Sequence, residues 1–154
     1  MPRIVSVVLH LLVFLGAAVF WECVAWFMHR YVMHGFGWYL HQDHHRTSGR
    51  RLQKNDSYAL FFAFVSFMLI FNGLRTGVTL AAAAGFGVAL YGVGYVLFHD
   101  ILFHRRVPGL RITATHPYLA RIVASHRVHH RTVTRDGAVS FGFLWARKQG
   151  PRPA

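Results

Sequence analysis

Twelve of the 154 residues are histidine, and ten of those fall in an ordered pattern. His29 and His34 are five apart, and His41, His44 and His45 then form a His-x2-His-His triplet. His99 and His104 repeat the wide spacing, and His126, His129 and His130 repeat the triplet. Neutral imidazole ligates iron, zinc, copper and nickel, so the ligands do not name the metal. Ten are too many for one ion, since zinc takes about four ligands and iron up to about six. Two metals with about five imidazoles each would use the set fully. His10 and His116 lie outside the pattern and read as exposed or hydrogen-bonded side chains.

The rest of the composition narrows the chemistry. Glu22 is the single glutamate, which excludes di-metal sites built from several glutamates. Cys23 is the single cysteine, which excludes an internal disulfide and cysteine-based zinc or iron–sulfur sites. A ligating imidazole usually donates its other ring N–H to a carboxylate or carbonyl. Asp43, Asp56 and Asp100 lie beside or near the clusters and are candidates for that acceptor. Glu22 precedes His29 by two helical turns and is a fourth. No catalytic residue beyond the metal ligands is evident, and no substrate-binding residue can be named.

These side chains need elements that bring them together. On a helix, residues three and four apart share a face, so each triplet projects as a unit. Residues five apart diverge by about 140° on an α-helix. The expectation is therefore that the helix ends or unwinds near His34, where Gly35 and Gly37 make that easy. His99 and His104 are expected to flank a site from two directions, with Arg105, Arg106 and Pro108 marking the stop.

Three apolar runs, about 4–27, 57–74 and 78–98, separate the clusters. At about 1.5 Å per residue they reach roughly 36, 26 and 32 Å, against a bilayer core of about 30 Å. The first is too long for a cleaved signal peptide and reads as a retained anchor. The fold class expected is all-α and membrane-bound, with three to four transmembrane helices and a histidine-rich di-metal cap. Residues 1–154 form one integral-membrane domain on this reading, with histidine segments 29–57 and 99–154. Ala81, Gly85 and Ala89 offer a small-residue face for close helix packing. Phe61, Phe62, Phe64, Phe67 and Phe71 load the second run with rings, read chiefly as helix packing and lipid contact.

Three spans put segment 29–57 and the tail after His99 on one side. The N-terminus and the loop after the second run carry two cations, Arg3 and Arg75. Segment 29–57 carries five, Arg30, Arg46, Arg50, Arg51 and Lys54, and the tail carries ten. The positive-inside rule places both histidine segments in the cytoplasm, which for a bacterial chain means the inner membrane. The net charge of +12 also suits an anionic membrane lipid surface. It does not signify nucleic acid, because the cations flank spans and no nucleic-acid-binding signature is present.

Six stretches together resemble a known group. They are His29-Arg-Tyr-Val-Met-His34-Gly-Phe-Gly-Trp38, Leu40-His41-Gln-Asp-His44-His45, Asn55-Asp56-Ser-Tyr58-Ala59, His99-Asp100-Ile-Leu-Phe-His104-Arg-Arg106, His126-Arg-Val-His129-His130 and Ser140-Phe141-Gly142-Phe143-Leu144. The sequence is similar to the membrane-bound di-iron fatty acid hydroxylase/sterol desaturase superfamily, and within it to the bacterial-type β-carotene 3-hydroxylases. The resemblance covers about Glu22 to Ala146. It implies a non-haem di-iron monooxygenase of carotenoid biosynthesis, with two iron ions held by the ten histidines. It implies O2 as co-substrate and electrons from a reduced ferredoxin. The implied reaction hydroxylates C3 of the β-ionone rings of a carotenoid drawn from the bilayer, taking β-carotene through β-cryptoxanthin to zeaxanthin. No nucleotide fingerprint is present, so electrons are expected from a partner, and a basic face would attract an acidic one.

Other functions stay open at this level. Another lipid or carotenoid oxidase of the same superfamily (a ketolase, desaturase, or fatty acid or sterol hydroxylase) would carry the same histidines. A membrane metal-binding or transport protein is the non-enzymatic alternative.

Overall fold

The computed structural model describes residues 2–46 and 52–146. Arg50, Arg51, Arg147, Lys148 and Arg152, which enter the charge count, lie outside them. The described residues are helical and contain no strand. In order they form α1 (Arg3–Phe27), π1 (Met28–Phe36), α2 (Trp38–His45), α3 (Asp56–Thr76), α4 (Thr79–Tyr95), π2 (Val96–Phe103) and α5 (Pro117–His129). α1 runs on into π1, and α4 into π2. Three helical segments are thus long and apolar enough to cross a bilayer, Arg3–Phe36, Asp56–Thr76 and Thr79–Phe103, each containing an 18-residue stretch of mean hydropathy 2.5, 1.8 and 1.8 respectively.

Local sequence explains the boundaries. Asp56 in the first turn of α3 and Arg75 in its last turn complement the helix dipole, about 0.3–1 kcal/mol each. Gly77, at φ 74°, ends that helix in the left-handed conformation that glycine adopts without a Cβ clash. Pro117 occupies the first turn of α5, where its missing N–H costs nothing, and the His116 ring accepts from Tyr118 N–H at 3.2 Å.

The chain divides into two compact units: the described residues of Met1–Val24 with Asp56–Gly94, and those of Ala25–Asn55 with Tyr95–Ala154. In the first, large apolar side chains point outward. Phe61, Phe64, Phe67 and Phe71 are all exposed, as are Leu11, Leu12 and Leu15, and α1 has no buried residue. Lipid tails solvate such a surface without penalty, so helix contact must come from close packing. The buried positions of α4 are Ala82, Gly85, Gly87, Val88 and Tyr91. Of the small-residue stripe expected from the sequence, Gly85 is buried while Ala81 and Ala89 are half-buried, so the packed face is turned toward Ala82 and Val88. A Cβ on Gly87 would collide with the main-chain carbonyl of Phe14, and one on Gly85 with Ile70 and Leu69. Ser66 Oγ donates to Gly85 O at 2.8 Å. Tyr91 OH donates to Glu22 Oε2 at 2.8 Å, which gives that carboxylate a partner. His10 bonds Ser6 O and Thr79 Oγ1, both at 2.7 Å.

The second unit inverts this pattern. Its buried residues include Ile101, Leu102, Ile122, Val123 and Phe143, but also seven imidazoles, and His129 is fully buried. A buried polar group costs stability unless it is bonded, so the bonds of these rings decide what the unit is.

Candidate metal centre

The wide histidine spacing finds its explanation in the backbone. The helix expected to end or unwind near His34 does so: it widens into π-helical turns, and such turns carry both wide pairs. In a π-helix the hydrogen bond closes over five residues rather than four, so positions i and i+5 come onto one face. His104 N–H donates to His99 O at 3.0 Å in this register, and Gly37 N–H to Val32 O at 2.8 Å. The rings of His29 and His34 are 5.3 Å apart, and those of His99 and His104 are 4.5 Å apart. The second pair therefore shares a side instead of flanking the site from two directions. Gly35 then leaves helical geometry at φ −113°, ψ −126°, and lets α2 begin. His104 closes π2, and Arg105, at φ 52°, turns the chain away, so the stop expected at Arg105 is where it falls.

The triplets arrive on α2 and at the end of α5. His44 and His45 are neighbours on α2 and so point about 100° apart. The result is an exchange between the two halves of the sequence. His29, His34, His41 and His45 gather with His129, and His44 gathers with His104, His126 and His130; within each group the ligand nitrogens lie within 4.8 Å of one another. His99 joins the second group through a 3.1 Å contact between its Nε2 and that of His44. The groups abut, with the His45 and His130 rings stacked at 4.5 Å.

Outer nitrogens fix the direction of the inner ones. In the first group the Nδ1–H of His29 donates to Phe141 O (3.0 Å), that of His34 to Arg135 O (2.9 Å), that of His45 to Thr132 O (2.8 Å) and that of His129 to Val139 O (2.9 Å). His41 Nδ1–H donates to Asn55 Oδ1 at 2.6 Å. In the second group His44 Nδ1–H donates to Gln53 Oε1 and His99 Nδ1–H to Asp100 Oδ1, both at 2.9 Å. Arg106 holds Asp100 at 3.2 Å. An oxygen without hydrogen can only accept, so each of these Nδ1 atoms carries the proton and each neutral ring presents an Nε2 lone pair.

Those lone pairs meet. His34 Nε2 lies 3.2 Å from both His45 Nε2 and His129 Nε2, and His45 Nε2 lies 3.1 Å from His41 Nε2. His104 Nε2 and His126 Nε2 are 2.7 Å apart. The Nε2 atoms of His29 and His130 are buried with no partner among the described residues. Two lone pairs cannot bond each other, but both can bind a cation between them. Nitrogens at right angles on metal bonds of about 2.1 Å stand about 3.0 Å apart, close to these spacings. The donor set therefore fits a pair of transition-metal ions.

Electrostatics keep the rings in the ligating form. Burial, helped by the neighbouring imidazole of His34, lowers His45 to about 4. Burial and then the Arg106 charge lower His104 to about 4, and burial and then His45 lower His129 to about 3. His41, His44, His126 and His130 are pushed down by the same desolvation. Neutral imidazole is the metal-binding state.

The carboxylates named from the sequence separate. Asp100 meets a histidine of the set. Asp43 Oδ2 accepts Lys54 N–H at 2.7 Å, Glu22 accepts from Tyr91, and Asp56 opens α3. Gln53, the main chain of 132–141 and Tyr95 were not visible as partners. Tyr95 stacks on His99 at 4.3 Å, and its OH lies 3.4 Å from His99 Nε2. Phe141 presents its ring edge-on to His29, His34 and His129, while Phe143 packs on Tyr95, Phe98 and Phe103.

The fatty acid hydroxylase family profile matches residues 14–147. The chain belongs to the fatty acid hydroxylase family. It is an oxidoreductase and an integral membrane protein, and its histidine groups suit iron. Among its relatives is a beta-carotene hydroxylase of Pseudescherichia vulneris, 42% identical over 82% of this chain and 71% of its own length. A beta-carotene hydroxylase of a Paracoccus species is 37% identical over 88% and 83%. A chloroplastic beta-carotene 3-hydroxylase of an Oncidium hybrid is 35% identical over 87% of this chain and 44% of its own length. No solved structure matches the chain.

Proposed function

We propose that this chain is a β-carotene 3-hydroxylase acting as one integral-membrane domain. Two groups of Nε2 lone pairs that converge and abut carry the reading, in a chain related to beta-carotene hydroxylases over most of its length. His29, His34, His41, His45 and His129 would hold one iron, and His44, His99, His104, His126 and His130 the other. When bound, the iron pair supplies the oxidising power for an unactivated C–H bond, chemistry that no side chain provides.

The balance of the reaction is one ring C–H bond, one O2, two electrons and two protons, giving one C–OH and one water. The electrons come from a ferredoxin-type donor, drawn to a basic surface that includes Arg111, Arg127 and Arg131, all exposed. The charge asymmetry supports a cytoplasmic site at the inner membrane. The protein's own residues hold the ligands neutral, orient them through fixed outer hydrogen bonds, and limit water. Phe141 and Phe143 contribute apolar walls beside the imidazoles and Tyr95.

The test is expression in cells that accumulate β-carotene and supply a working ferredoxin system. β-Cryptoxanthin and zeaxanthin are expected. Unchanged β-carotene beside folded, iron-loaded protein would reject the substrate assignment, and hydroxylated lipid in its place would support another oxidase of the same family.

A further inference from the structure

Three consecutive residues ahead of α3 dock side by side on α2. Gln53 Oε1 accepts from His44 Nδ1–H at 2.9 Å, and Asn55 Oδ1 accepts from His41 Nδ1–H at 2.6 Å. Between them, Lys54 N–H donates to Asp43 Oδ2 at 2.7 Å, and the Lys54 ammonium lies 3.6 Å from the centroid of the Tyr39 ring. The arrangement is a clip on one short helix. Its two prongs reach different groups, because His41 belongs to the first and His44 to the second.

Each prong does a specific task. A ring whose Nδ1 proton is claimed by an amide oxygen has its Nε2 lone pair free and its rotation fixed. His41 Nε2 then lies 3.1 Å from His45 Nε2, and His44 Nε2 lies 3.1 Å from His99 Nε2. The acceptors are neutral amides, and Asn55 is only 4% exposed, so water competes poorly for the bond. We propose that Asn55 and Gln53 are positioning residues, Asn55 fixing His41 in one metal position and Gln53 fixing His44 in the other. This rests on the two-iron reading of the site.

The test uses the full chain, purified in detergent and loaded with 57Fe, reading iron per chain and the Mössbauer spectrum. Asn55→Leu is expected to weaken iron retention about 10- to 100-fold at one position and to change one iron signal. Gln53→Leu is expected to change the other signal. Asn55→Asp and Gln53→Glu keep an acceptor oxygen and are expected to restore both. Helix content by circular dichroism checks that each variant folds, and the half-buried Gln53 keeps the test open should Asn55→Leu not fold. Wild-type spectra in both leucine variants would overturn the clip, as would acidic variants that lose as much iron as the leucine ones, or two leucine variants that alter the same signal. Unsubstituted protein holding fewer than two irons would instead overturn the two-iron reading, and the clip with it.

Discussion

The two histidine groups use one side chain and hold it in two ways. In the first, every outer nitrogen rests on a neutral oxygen, and four of the five oxygens are main-chain carbonyls between Thr132 and Phe141. In the second, the outer partners among the described residues are side chains, Gln53 on His44 and the carboxylate of Asp100 on His99, with Tyr95 against the same ring. A carboxylate acceptor raises the basicity of a ligating imidazole, whereas a carbonyl mainly orients it. One group is thus aimed by the path of a loop. The other is tuned by side-chain chemistry and is open to change by single substitutions.

The largest effect should erase the distinction. Replacing His44, His45, His129 or His130 by Ala is expected to abolish product formation and lower iron content, because each group lends a residue of its triplet to the other. His10→Ala or His116→Ala should change neither, as carotenoid chromatography and iron analysis will show. Full activity in His129→Ala would break the pairing.

A smaller effect should separate the groups. Asp100→Asn removes the charge behind His99 and should weaken iron binding about 10- to 100-fold at the second group, with the first unaffected. Iron per chain should fall from two toward one on chelator titration. Equal loss from both groups would show that they are not held independently.

The loop offers the converse change. Ser140 sits at φ 65° between the two acceptor carbonyls of Val139 and Phe141. A β-branched residue is strained there by about 1–3 kcal/mol. Ser140→Val should lower the thermal midpoint and loosen iron at the first group, while Ser140→Gly should do neither.

Acid should not tell the groups apart. The folded protein holds His45 and His104, one from each, near 4, below the ordinary value for histidine of about 6.5. The unfolded chain therefore takes up protons first. Stability of the iron-free protein from these rings is full above about pH 6.5 and declines as pH falls toward 4. Thermal melts across that range should show one decline, and a rise in stability on acidification would contradict the burial of the rings.

The sequence showed most of the fold because its signals are large. Apolar runs of bilayer length became the three long helices, and the triplets fell on or beside short helices whose i, i+3 and i+4 positions share a face. The five-residue spacing revealed the pairing of His29 with His34 but not the widened turn that achieves it, since nothing in the residue types distinguishes a π-turn from a helix end. The exchange of His44 for His129 depends on how α2 and α5 meet. Main-chain acceptors leave no trace in composition, because every residue has a carbonyl. Asp100 was legible as a neighbour of His99. The bond from Tyr91 to Glu22 was not, because it joins residues 69 apart in the chain.

The close approach of Gly87 to the Phe14 carbonyl joins the first of the three long helices among the described residues to the third. At roughly 5–20 residues per second, the ribosome takes about 4–15 s to travel from one to the other. During that interval the first helix can pack on α3, through the Trp21 and Phe62 rings at 5.8 Å, but waits in the bilayer without α4. A larger side chain at position 87 would make the wait permanent, and the damage would be seen as lost protein abundance rather than as slow turnover.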